Sequence, residues 1–176
     1  MHLNSALHLN YKKRCLDELP LKVKLKDVEH YLALLAETPH RMAAGTVGMD
    51  DACLRVPLEE GEWSLIQVLA HLRAAADVWG DSIEVMLRLD QPVVTYIHPN
   101  KRMKAAGYAA LEFHASFDVF SRQRAELLAK LANLLPEDWS RSAVIRGRTH
   151  TVFSETRRMA LHEADHWAQI DRLHKV

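Results

Sequence analysis

The chain has 176 residues, 48% of them hydrophobic and 26% charged, which fits one globular domain large enough to bury its own core. Its 23 basic and 23 acidic residues cancel, so no global field attracts nucleic acid or an anionic membrane. Two cysteines, Cys15 and Cys53, make neither a disulfide framework nor a C-x-x-C site, and no apolar run approaches the ~20 residues of a membrane span. A cytoplasmic protein with no membrane and no nucleic-acid partner is expected.

Residues 1–18, with a Lys12-Lys13-Arg14 cluster, carry little periodic signal and read as an N-terminal extension to a domain over 19–176. The start, Met1 to Leu7, lacks the basic residues and long apolar run of a secretory signal. From Leu21 to about Arg41, Val28, Tyr31, Leu32 and Leu35 recur at helical spacing and predict the first helix. Residues 43–62 hold Gly45, Gly48, Pro57 and Gly61 and read as a long connection.

The second helix has the clearest signature. Ser64 and Gln67 form a capping box, and Trp63 before the cap is placed to staple onto Val68. The stripe Leu65, Val68, Leu69, Leu72, Ala75, Val78, Trp79, Ile83 and Met86 then runs to about Asp90. Pro92 and Pro99 bracket an extended or turn-like linker, whose Pro92–Ile97 stretch is the one strand candidate. A third helix is expected from about Tyr108 to Leu135, with Leu111, Phe117, Phe120, Leu127, Leu128 and Leu131 on one face and Pro136 as its stop. A short irregular stretch with Trp139 and Gly147 follows. The fourth helix, from about Val152 to Leu173 and capped by Thr149 or Thr151, carries Phe153, Met159, Trp167 and Ile170 in its stripe. Four amphipathic segments with almost no strand signal predict an all-α four-helix bundle.

The chemistry concentrates in His162-Glu163-Ala164-Asp165-His166. Histidines four apart on a helix lie about 40° from each other, so their imidazoles project side by side and can grip one ion. The string also matches H-E-x-x-H, in which Glu163 would be the general base of a metalloprotease. The chain that follows, Trp167 to Arg172, has no H-x-x-G-x-x-H continuation and leaves no room for a ligand on a later helix. A third ligand must lie upstream, and His71 is the best candidate, between Val68 and Ala75 on the inward face of the second helix. His162 and His166 follow Met159 by three and seven residues and face inward too. Three neutral imidazoles leave a zinc, nickel or iron ion with open positions, where water or a thiol loses its proton more readily.

Smaller candidates surround this set. His114 lies near the Leu111–Phe117 stripe, either as a packed rim residue or close to the site. Arg141, Arg146, Arg148 and His150 gather positive charge before the fourth helix, as a substrate-carboxylate clamp or a solvated loop. Glu163, turned about 100° from His162, reads as a helix-surface or outer-sphere carboxylate rather than a base. Cys15 and Cys53 lack a cationic context that would mark a nucleophile. His2, His8, His30, His40, His98 and His174 have no role assigned.

Two stretches resemble a known family. Trp63-Ser64-Leu65-Ile66-Gln67-Val68-Leu69-Ala70-His71-Leu72 resembles the W-S-x-x-x-x-x-x-H-L opening of the second helix in DinB/YfiT-like proteins. His162-Glu163-Ala164-Asp165-His166-Trp167-Ala168-Gln169-Ile170 resembles their last-helix motif, H-x-x-x-H-x-x-Q-I. The likeness spans roughly residues 24–174. It implies a four-helix bundle whose histidines, here His71, His162 and His166, bind a divalent metal, often in a homodimer. It also implies kinship with metal-dependent thiol transferases that join a low-molecular-weight thiol, such as bacillithiol or mycothiol, to a small electrophile. The residues themselves leave open a thiol-activating transferase, a water-activating hydrolase, and a non-catalytic dimeric bundle that a metal stabilises.

Overall fold

The computed structural model describes residues 23–57 and 59–172. The expected extension over 1–18, with Cys15, His2 and His8, lies outside the described residues, as does His174. Four long helices form the bundle: α1 (Leu25–Gly45), α3 (Leu65–Arg88), α5 (Phe113–Leu131) and α6 (Val152–Asp165). Short helices α2 (Asp51–Leu54), α4 (Pro99–Ala106) and α7 (Trp167–Asp171) join or extend them. Among the described residues, no helix is long and apolar enough to cross a membrane.

Local chemistry sets the boundaries. Ser64 and Gln67 make the expected capping box, with the Ser64 amide donating to Gln67 Oε1 at 2.9 Å. Of the two threonines before α6, Thr151 is the cap: its hydroxyl accepts from Ser154 N at 3.1 Å while Ser154 Oγ accepts from Thr151 N at 2.8 Å. Helix α5 starts later than its apolar spacing implied, because the Glu112 carboxylate accepts from the amides of His114 and Ala115 and fixes the first turn there. Tyr108–Ala110 is a separate 3₁₀ turn, and Leu111 is exposed. The connection at 43–62 is shorter than expected. Helix α1 runs through Pro39 to Gly45, and α2 forms inside the gap under an Asp50 cap.

The stretch expected to be irregular holds a 3₁₀ turn over Pro136–Ser140 and a hairpin, β2 (Ser142–Ile145) and β3 (Arg148–Thr151). Its two-residue turn puts both Arg146 and Gly147 at positive φ, 50° and 73°. Strand β1 (Val93–Val94), within the one strand candidate, pairs in parallel with β2, Val93 opposite Val144.

Helix direction follows from paired contacts. Tyr31 meets Phe153, Trp167 donates to Thr38 and Arg41 pairs with Asp171, so α1 runs parallel to α6 and α7. Arg73 donates to Ser116 and Glu84 pairs with Lys130, so α3 and α5 are also parallel. His71 faces His162 while Trp79 faces Arg158, so α3 and α6 are antiparallel. The bundle is up-down-down-up. Parallel neighbours α3 and α5 require the chain to travel back along the bundle, and residues 89–112, with β1 and α4, make that return against α3.

Two apolar clusters fill the interior. One centres on Val28, Leu35, Trp79, Leu131 and Trp139, the other on Met42, Leu54, Leu72, Phe113 and Phe120. Between them lies a polar layer. Thr38 separates Leu35 from Met42 along α1, Arg124 separates Phe120 from Leu128 along α5, and Glu163 separates Ala160 from Ile170. Arg124 and Glu163 are both buried and form an ion pair across the bundle; Arg124 also lies 2.9 Å from Met159 Sδ. Burial pushes the Glu163 carboxyl up, and the Arg124 guanidinium beside it opposes that rise. Glu163 is therefore a core residue and not the helix-surface carboxylate its rotation suggested.

Removing one partner of a buried pair strands the other charge. Arg124→Ala is expected to cost about 3–5 kcal/mol, and joint replacement of Arg124 and Glu163 by Met to recover most of it. Urea unfolding of the single and double variants measures both. A second expectation concerns acid. The Asp51 carboxylate accepts from the Phe113 amide at 2.8 Å, tying α2 to α5, and this bond, with Arg55 adding to it, holds its carboxyl below the ordinary 3.8. A depressed pKa contributes stability above about 3.8 that is lost as pH falls through the folded value. Thermal melting should thus separate Asp51→Ala from the parent protein at pH 7, and the difference should shrink at pH 3.

Candidate metal centre

His71, His162 and His166 converge in the polar layer. Their nitrogen donors lie within 4.8 Å of one another, and among the described residues this three-histidine group contains no cysteine or carboxylate. Nε2 of His71 stands 2.9 Å from Nε2 of His162, and the three ring centroids are 4.9, 4.9 and 5.2 Å apart. The pair on one helix and the single histidine on its antiparallel neighbour meet as the inward stripes require.

Helix geometry is adjusted at this point. The expected continuous fourth helix is interrupted at His166, whose amide bonds the carbonyl three residues back, Glu163 O at 3.0 Å, before α7 resumes at Trp167. Such a tightened turn re-aims the side chain it carries. His166 Nδ1 donates to Gln169 Oε1 at 2.6 Å, which places the ring proton on Nδ1 and leaves Nε2 as the free donor atom. Helix α7 is clamped to α1: Trp167 Nε1 donates to Thr38 Oγ1 at 3.0 Å, Arg41 lies 4.3 Å over the Trp167 ring, and Arg41 reaches Asp171 at 2.5 Å.

The environment favours uncharged ligands. Burial, with the His166 charge adding to it, pushes His71 down to about 4. Burial, with His166 and His71 beside it, pushes His162 down to about 3. Both rings are thus neutral at pH 7, the form that binds a metal. Nδ1 of each is buried without a hydrogen-bond partner, and the Asn100 amide at the start of α4 lies against His71. A donor set of three closely spaced imidazoles, one buried and two half-buried, fits a borderline divalent ion with positions left open.

Two indoles wall the group. Trp63, expected to staple the α3 cap, sets its ring 5.0 Å from His71 and nearly parallel to His166 at 6.3 Å. Trp79 meets His162 edge-on at 4.8 Å. Sequence reading missed both roles, since each tryptophan sits where packing alone would place it. Gln169 was legible only as a motif position.

The remaining candidates fall elsewhere. His114 is exposed and meets Met49 O at 3.1 Å. Arg141 donates to the carbonyls of Met86 and Leu89 and fastens the chain before β2. Arg148 is exposed, and His150 lies 2.8 Å from the buried Glu155 carboxylate. Arg146 stacks over Tyr96 at 5.1 Å. Glu163, pointed into the core against Arg124, cannot serve as a base for the three histidines. Cys53 is exposed beside Asp50, which pushes its thiol up, the opposite of a nucleophile.

Known proteins resemble this chain in sequence and in fold. A sequence profile of the DinB superfamily matches residues 34–170. A protein of Geobacillus thermodenitrificans (strain NG80-2) named "Putative metal-dependent hydrolase" is 24% identical over 166 residues, 90% of each chain. A similarly named protein of Geobacillus kaustophilus (strain HTA426) is also 24% identical over 166 residues. Among solved structures, YfiT from Bacillus subtilis, described as "a probable metal-dependent hydrolase with an unusual four-helix bundle topology", superposes with a TM-score of 0.75 over 90% of this chain and 91% of its own, at 16% identity. With the profile covering most of the chain and both motifs placed on the helices that carry the three histidines, the protein belongs to the DinB superfamily.

Proposed function

We propose that the protein is a metal-dependent hydrolase whose divalent ion, zinc, nickel or iron, is held by His71, His162 and His166. The observation that carries this reading is the convergence of three histidines from two helices on one buried point. The names of the Geobacillus relatives support the same class. A bound ion would supply Lewis acidity there, polarising a carbonyl and lowering the pKa of water or a thiol. The chain's own part is to hold His71 and His162 neutral and His166 oriented. Gln169 fixes the His166 tautomer, and burial keeps His71 and His162 unprotonated. Trp63 and Trp79 restrict solvent around the rings.

Metal uptake is the first test. Calorimetric titration of the metal-stripped protein with zinc should show one site, lost in His71→Ala, His162→Ala and His166→Ala and kept in His98→Ala. Gln169→Ala should weaken binding by about 10–100-fold, because the ring it orients is a ligand. Reactivity is the second test. The loaded protein should hydrolyse members of an ester and amide panel and lose that activity with chelator. Conjugation of monochlorobimane with a low-molecular-weight thiol, and no hydrolysis, would replace the hydrolase with a thiol transferase. Failure of the parent protein to take up any of the three metals would overturn the reading.

A further inference from the structure

Among the described residues, Arg158 stands beside the centre with no hydrogen-bonded acceptor and only a loose ion pair to Glu155. Arg158 precedes His162 by four residues, so it rises from the same face of α6 one turn away. Its guanidinium lies 5.4 Å from the centroid of Trp79, the same indole that meets His162 at 4.8 Å. The nearest carboxylate, Glu155, is 3.8 Å away, beyond hydrogen-bonding distance, and is itself 2.8 Å from His150. Arg158 is 43% exposed. A second cation lies against the same ring: Tyr96 has Arg158 at 5.9 Å and Arg146, from the β2–β3 turn, at 5.1 Å.

We infer that Arg158, with Arg146 against the same Tyr96 ring, is an anion-holding subsite that positions a carboxylate or phosphate of a small substrate whose reacting bond lies at the histidines. The inference rests on the proposed function for the identity of the reaction, though the subsite consists of residues that are not ligands. Two features of the surroundings support it. A guanidinium lodged on aromatic faces is less hydrated and keeps its planar fork free for a bidentate acceptor. The partly exposed Trp63 ring, stacked on His166 at 6.3 Å, offers a flat apolar face beside the same centre. The basic clamp expected from Arg141, Arg146, Arg148 and His150 thus reduces to Arg146, with the main cation supplied by α6 itself.

The test uses benzoate and its neutral isostere benzamide as probes, titrated by calorimetry into the full-length protein with and without zinc. The parent should bind benzoate more tightly than benzamide. Arg158→Ala should lower benzoate affinity about tenfold or more, the scale of a charge-assisted hydrogen bond, and leave benzamide affinity and zinc stoichiometry unchanged. Arg158→Lys should keep part of the preference and Arg146→Ala should lose a smaller part. Unchanged benzoate affinity in Arg158→Ala, or an equal fall for both probes, would overturn the subsite. Failure of the parent to bind zinc would instead overturn the proposed function, while the benzoate-to-benzamide ratio on the zinc-free protein still decides the role of Arg158.

Discussion

The azimuth of α6 decides everything at the centre, and a buried ion pair sets it. Glu163 sits next to His162 and therefore points about 100° away from it. Its carboxylate is buried against Arg124, which crosses the core from α5. Any rotation of α6 would pull that carboxylate off the Arg124 guanidinium, at the full cost of an unpaired buried ion. With Glu163 pinned toward α5, His162 is left facing α3, where His71 waits. A pair of this kind adds little net stability over an apolar pair of equal volume, yet it specifies one arrangement among several that hydrophobic burial would tolerate.

Topology then determines what surrounds the histidines. Had α3 and α5 been antiparallel, a short turn would have joined them and nothing would cover the outer face of α3. Because they are parallel, the returning segment brings Tyr96 beside Val78 and Ser82 of α3 and carries His98 and Asn100 toward His71. The same return carries β1 to the edge of the β2–β3 hairpin, whose turn delivers Arg146 to Tyr96. The surroundings of the three histidines thus draw on connections as well as helices, while His71 and His162 stand on α3 and α6.

Much of this was legible before any coordinates. The apolar stripes of α1, α3 and α6 and the Ser64–Gln67 box are local features, and local features survive into the fold. The convergence of His71, His162 and His166 was legible for the same reason: all three follow the inward stripes of their segments. What escaped was set by distant partners. The hairpin turns on Arg146-Gly147, a weaker signal than Asn-Gly, and its β3 strand, Arg148 to Thr151, has no apolar residue to announce it. The start of α5 depended on a Glu112 cap that outweighed the apolar spacing of Leu111. Glu163 looked like a surface residue because its partner lies 39 positions away.

The interruption at His166 makes the last turns of the described chain part of the centre. His166 belongs to neither helix: its amide closes onto α6 through Glu163 O, while its carbonyl accepts from Gln169 and Ile170 in α7. Gln169 holds the imidazole, and Trp167 and Asp171 hold α7 to α1. An ion at His166 would therefore draw on the same free energy that docks α7 against α1. Occupancy of the centre and closure of the α1–α7 seam become two readings of one equilibrium, each strengthening the other by the same factor.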